Sequence, residues 1–117
     1  MIPTNREHLE PSPRGAWVVK PALGRVGEHV GVPGVTSLAE WAEIARGVRA
    51  HPERWLAQER FVAEPIATPD GARHACIGVY VIDGRAAGVY GRLARVARID
   101  ERAADVAVLV RAPARVR

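Results

Sequence analysis

The sequence predicts an α+β fold: an antiparallel sheet with one main helix packed on one side. Three observations carry this. One segment repeats its apolar residues at helical spacing behind a capping box. An Asp-Gly pair, Asp83-Gly84, separates two long apolar runs. Short β-type segments flank both features. The order along the chain is strand, glycine-rich loop, helix, strand, long hairpin, strand.

Each element follows from local chemistry. Residues 1–15 carry Pro3, Pro11, Pro13 and Gly15 among charges, which predicts an extended N-terminal arm without a stable helix. Residues 16–117 then form a single lobe. Ala16–Lys20 is apolar and partly β-branched, hence a strand that Pro21 ends. Residues 21–36 hold Gly24, Gly27, Gly31, Pro33 and Gly34 and predict a loop. "SLAE" at 37–40 is a capping box, with the serine as N-cap and a glutamate three residues on to reach back. Leu38, Trp41, Ile44, Ala45 and Val48 then share one face, so a helix spans about 38–50 and ends near Pro52.

Residues 55–63, "WLAQERFVA", predict a strand, and "EPIATPDGAR" a turn region. "HACIGVYVI" at 74–82 and "RAAGVYGR" at 85–92 form a hairpin. Asp-Gly suits the two positive φ angles of a type I′ turn. Both faces of this hairpin are apolar or glycine, which predicts a sheet covered on both sides. "VAVLV" at 106–110 predicts a last strand.

Composition bounds the function. At 117 residues with 48% hydrophobic and 26% charged side chains, the chain is one globular domain or part of one. The net charge of +4 admits an anionic partner. The arginines, however, are scattered among thirteen acids, and few aromatics are placed to stack bases, which argues against nucleic acid. Cys76 is the sole cysteine and lies in an apolar run, so it reads as a buried strand residue. His8, His29, His51 and His74 show no metal-ligand spacing. Trp17, Trp41 and Trp55 read as core or interface anchors. No apolar run approaches ~18 residues and the N-terminus lacks an apolar signal core, so the expected compartment is the cytoplasm with no membrane partner.

Lys20 is the only lysine beside sixteen arginines. It stands at a strand end, directly before Pro21 and the glycine loop. Gly24 and Gly27 lack the Cβ atoms that hold a ligand away from backbone N–H groups, and Arg25 between them offers a fork of donors to an anion. A lysine adds a thin, reaching point charge that arginine cannot supply. "GRVG" matches neither the P-loop nor the dinucleotide fingerprint. The spacing alone leaves an anion site and a solvated surface turn both open.

The Lys20 segment taken with two downstream ones shifts this balance by resemblance. "WVVKPALGRVGEHV", "WLAQERFV" and "CIGVYVIDGRAAGVYGR", in that order, resemble the C-terminal part of the glutathionylspermidine synthase family, which are circularly permuted ATP-grasp ligases. "IPTNREHL" at 2–9 is similar to the segment before that lobe. The likeness covers roughly residues 16–110. It implies an ATP-grasp-like lobe, with ATP and Mg2+ as cofactors and carboxylate–amine ligation through an acyl phosphate. Lys20 matches the lysine that contacts ATP phosphate and the adenine edge. Gly24, Arg25 and Gly27 match the loop that closes over the phosphates. Gln58 and Glu59 match the adenine-facing strand, and Arg92 an arginine near the transferred phosphate.

The family's metal-binding residues lie upstream of the lysine strand, and Asn5, Glu7 and Glu10 here match no metal motif. Arg92 is followed by Leu93 and Ala94, not by the acidic run common in the family. The resemblance therefore implies an incomplete domain, completed by a partner chain or by homo-oligomerisation. The alternative is an ATP-grasp-derived nucleotide-binding or protein-interaction module without catalysis.

Overall fold

A computed structural model describes residues 4–5 and 8–111. The described residues are α+β, with two antiparallel sheets and one α-helix among them. The elements are β1 (Thr4–Asn5), β2 (Trp17–Pro21), α1 (Leu38–Ala50), a 3-10 turn (Pro52–Arg54), β3 (Trp55–Glu59), β4 (Ile66–Thr68), β5 (Gly71–Ile82), β6 (Arg85–Ala94) and β7 (Ala104–Val106). The first sheet has the order β1-β3-β2 and the second β4-β5-β6-β7.

The first sheet and the helix form the core. Val19 in β2 and Ala57 in β3 are fully buried and sit opposite each other in the ladder. Val19 also exchanges both backbone hydrogen bonds with Gly31, at 3.0 and 2.7 Å, which folds the glycine loop back over β2. The helix begins as its capping box requires. Ser37 Oγ accepts from the Glu40 N–H, and Glu40 Oε2 accepts from the Ser37 N–H at 2.9 Å. It ends where Pro52 starts the 3-10 turn. Trp41, Ile44 and Val48 lie on one stripe and pack on Val19, with Leu9 and Trp55 closing the cluster. Trp17 stays outside this cluster and stacks on His8 with ring centroids 4.1 Å apart.

The second sheet is built on the β5–β6 hairpin. Asp83 and Gly84 have φ of 49° and 74°, both in the left-handed region that a type I′ turn needs. A bulge at Tyr80/Val81 interrupts the register.

Several boundaries differ from the sequence expectation. Within the segment expected to be an extended arm, Thr4–Asn5 adds an edge strand to β3. The strand expected over 55–63 stops at Glu59, because its partner β2 begins at Trp17; the last ladder bond runs from the Arg60 N–H to the Ala16 carbonyl. The expected turn region contains β4, whose hairpin with β5 turns at Pro69-Asp70. The last strand pairs through 104–106, not 106–110, since Arg92 faces Asp105 across the ladder and its guanidinium binds that carboxylate. Cys76 is half-buried. The largest difference concerns the hairpin faces. They are uncovered, with Tyr80 59% and Val81 65% exposed, because the helix packs on the first sheet and not on this one.

Candidate functional site

β-strand alternation decides which side chains meet at the candidate site. Val19 and Ala57 point into the core, so their neighbours Val18, Lys20 and Gln58 point to the other face. Val18 pairs with Gln58 and Lys20 with Leu56, which makes Lys20 and Gln58 diagonal neighbours. The Lys20 Nζ donates to Gln58 Oε1 at 2.6 Å, a bond that holds the ammonium in one place on the sheet face.

Lys20 borders a depression of about 330 Å3 together with Gly24, Gly27, Glu28, Val30 and Leu56. Gly27 and Val30 also border a second, mainly apolar cavity of about 530 Å3, whose walls include Gln58, Glu59, Phe61, Cys76 and Ile77. The structure thus brings together Lys20, Gly24, Gly27, Gln58 and Glu59 around two adjoining hollows. Arg25 is exposed and borders neither. Arg92 is also elsewhere. Its Nε donates to Asp105 Oδ1 and its Nη2 to the Ala103 carbonyl, each at 3.0 Å, so it ties β7 to β6.

The glycine loop is shaped by close packing. Val26, Gly27 and His29 all have positive φ, at 49°, 72° and 54°. Valine is a costly residue for that region, whereas glycine is at ease there. A Cβ on Gly27 would overlap the Ile99 carbonyl oxygen. Gly27 therefore seats the loop on the connection between β6 and β7. Gly27→Ala combines a disfavoured φ with a steric overlap, and is expected to cost about 3 kcal/mol. A urea midpoint that falls while the slope holds would register it.

The connection beneath Gly27 is held by ions. Arg98 is nearly buried and donates to Asp100 Oδ2 at 3.2 Å, Glu40 Oε1 at 3.1 Å and Thr36 Oγ1 at 3.4 Å. Arg102 Nη2 donates to Asp100 Oδ2 at 2.6 Å. Thr36 is buried, accepts from the Val32 N–H and donates to the Val30 carbonyl. The cluster links the glycine loop, the helix start and the second sheet. The Arg102 side-chain bond lowers the Asp100 pKa to about 2, against the opposing effect of burial. The backbone bond from Ser37 is the main cause that lowers Glu40.

These shifts have one sign. Asp100 has an ordinary value of 3.8 and a folded value of about 2. Its stabilisation is complete above about pH 4 and is lost as pH falls through about 2. Allowing for solvent around its exposed partner, this is on the order of 1 kcal/mol. Acid titration of stability should show this loss in the wild type, and Asp100→Asn should remove it.

Sequence reasoning missed Arg98, Asp100 and Thr36 as organisers, because Arg98 lies 58 residues from Glu40 and 62 from Thr36. It also considered His74 only as a metal ligand. His74 borders the apolar cavity, and its Nδ1 is buried without a hydrogen-bond partner. Among the described residues no group of three or more His, Cys, Asp or Glu is placed to hold a metal ion. No helix among them is long and apolar enough to cross a membrane. Compared with known proteins, the chain matches no family model, no curated protein and no solved structure.

Proposed function

We propose that this chain is the nucleotide-binding lobe of an ATP-dependent carboxylate–amine ligase of the circularly permuted ATP-grasp type. The observation that carries the reading is the Lys20–Gln58 pair at the junction of the two hollows. A purine ring suits the mainly apolar cavity, where Gln58 and Glu59 offer polar contacts to its edge. Phosphate oxygens suit the smaller depression, where the Lys20 ammonium stands beside the backbone of Gly24 and Gly27. ATP would supply the phosphoryl group that activates a carboxylate. Lys20 would place a positive charge beside its phosphates, the main need of phosphoryl transfer.

The described residues do not fit Mg2+ by themselves, since they present no cluster of carboxylates. The metal ligands of a working ligase would come from a partner chain or a further part of the protein. Two observations favour a second reading, a nucleotide-binding module without catalysis. No metal cluster is present among the described residues, and Arg92 is engaged by Asp105 and Ala103.

Calorimetric titration of Mg-ATP tests the shared part of both readings. Wild-type chain should bind, and Lys20→Ala should bind at least tenfold more weakly, about 1.4 kcal/mol. Circular dichroism should show an unchanged fold, because Lys20 lies on the non-core face of β2. Absence of binding to the wild type would refute both readings. Turnover of ATP, once the complementary lobe is supplied, would select the ligase over the module.

A further inference from the structure

β7 stops beside an edge that continues. It pairs Ala104 with Leu93, Asp105 with Arg92 and Val106 with Gly91. β6 starts at Arg85, so its outer edge over residues 85–90 has no strand partner among the described residues. On the other side β4 reaches only Arg73. The outer hairpin is thus a two-stranded ribbon, which is marginal in water by itself. The segment that leaves β7 has the composition of a strand. Residues 106–110 read Val-Ala-Val-Leu-Val, rich in β-branched side chains and free of glycine and proline. Leu109 and Val110 are 95% and 76% exposed, so their apolar area is unused where the chain now runs.

Register fixes where this segment fits. Continuing the β6–β7 ladder sets Ala107 opposite Tyr90, Val108 opposite Val89 and Leu109 opposite Gly88. The next β6 residue, Ala87, is the extra residue of the bulge, so the regular register ends there. The faces agree as well. Val108 would share a face with Val106, Val89, Val79 and Ile77, all aliphatic. Leu109 would lie on the other face beside Gly88, where a Cβ would stand 3.6 Å from the Tyr80 ring. One contact of this arrangement is already made. A Cβ on Gly91 would stand 2.8 Å from Val108 Cγ2 and 3.2 Å from Val106 Cγ2, so both valines lie over that glycine. Gly91 is the diagonal neighbour of Val108 in the continued register, and diagonal neighbours in a ladder are within reach of each other. Val108 therefore stands on the correct face, one step from its place.

We propose that residues 107–110 form a strap that closes on the outer edge of β6, extending β7 in register as far as Leu109 opposite Gly88. Closed, the strap makes the ribbon three-stranded and blunts one of its edges. Open, it leaves the N–H and C=O groups of β6 free to take an incoming strand. The strap thus gates strand addition at that edge. The inference does not depend on nucleotide binding.

Hydrogen exchange of the wild-type chain without nucleotide, followed by NMR at a low and a high protein concentration, tests it. The outward amides of 88–90 and alternate amides of 107–109 should exchange at least about tenfold more slowly than in an unstructured peptide, and equally at both concentrations. Exchange at the unstructured rate overturns the proposal. So does protection that grows with concentration, which would assign the edge to a second copy. Cysteine pairs test the register. In a Cys76→Ala background, Val89→Cys with Val108→Cys should oxidise to an intramolecular bridge. Val89→Cys with Val110→Cys should not, since Cα atoms more than about 7 Å apart are not bridged without backbone movement. Equal bridging of the two pairs, or cross-linked dimers, overturns the proposal. Should a cysteine variant misfold, the wild-type exchange decides alone.

Discussion

Ile44→Ala should cost this protein about 3 kcal/mol of stability, within the range of roughly 2–5 kcal/mol for such truncations. Ile44 is 1% exposed and stands at the centre of the Val19, Trp41 and Val48 cluster. Its removal takes away transfer energy and leaves a cavity that its neighbours cannot fill. Trp41 is held by the helix, and Val19 by the β2–β3 ladder and the bridge to Gly31. The core is small, so few other contacts offset the loss. Domains of this size have only about 5–15 kcal/mol in total. Urea unfolding followed by tryptophan fluorescence should show a much lower midpoint at an unchanged slope. A change below about 1 kcal/mol would mean that the helix does not seat on β2 in the way described.

The second large effect is expected at Arg98→Leu, at about 2–3 kcal/mol. The guanidinium is 11% exposed and serves acceptors on three segments: Thr36 in the loop, Glu40 in α1 and Asp100 beyond β6. Its loss leaves the buried Asp100 with Arg102 as its remaining charged partner. Stability should fall, and the contact between Gly27 and Ile99 should loosen with it. The Glu40 component alone should be small, because that carboxylate is 44% exposed and partly screened by water. A double-mutant cycle between Arg98 and Glu40 should therefore give a coupling of about 0.5–1 kcal/mol. A coupling as large as the whole Arg98 effect would mean that Asp100 contributes little.

The elements that depend on neighbouring residues were legible in the sequence. Ser37 and Glu40 announce the helix start because the capping box is built within four residues. Trp41, Ile44 and Val48 announce its buried stripe because 3.6 residues make a turn. Asp83-Gly84 announces the hairpin because the turn needs two positive φ angles in succession. β4 was hidden because three residues between two prolines carry too little pattern. The end of β3 was hidden because it depends on where its partner β2 begins, distant in sequence.

The candidate site divides along the same line. The sequence by itself singled out Lys20 before a glycine loop, and the resemblance added Gln58 in a later strand. That they touch, and that Arg92 serves Asp105 instead, was decided by strand register, which pairs residues far apart in the chain. Apolar content predicted a hairpin covered on both faces, and tertiary structure left it bare. Hydrophobicity states that a surface favours burial, but only the placement of the helix decides which surface is buried. The helix has one apolar stripe, and the first sheet takes it.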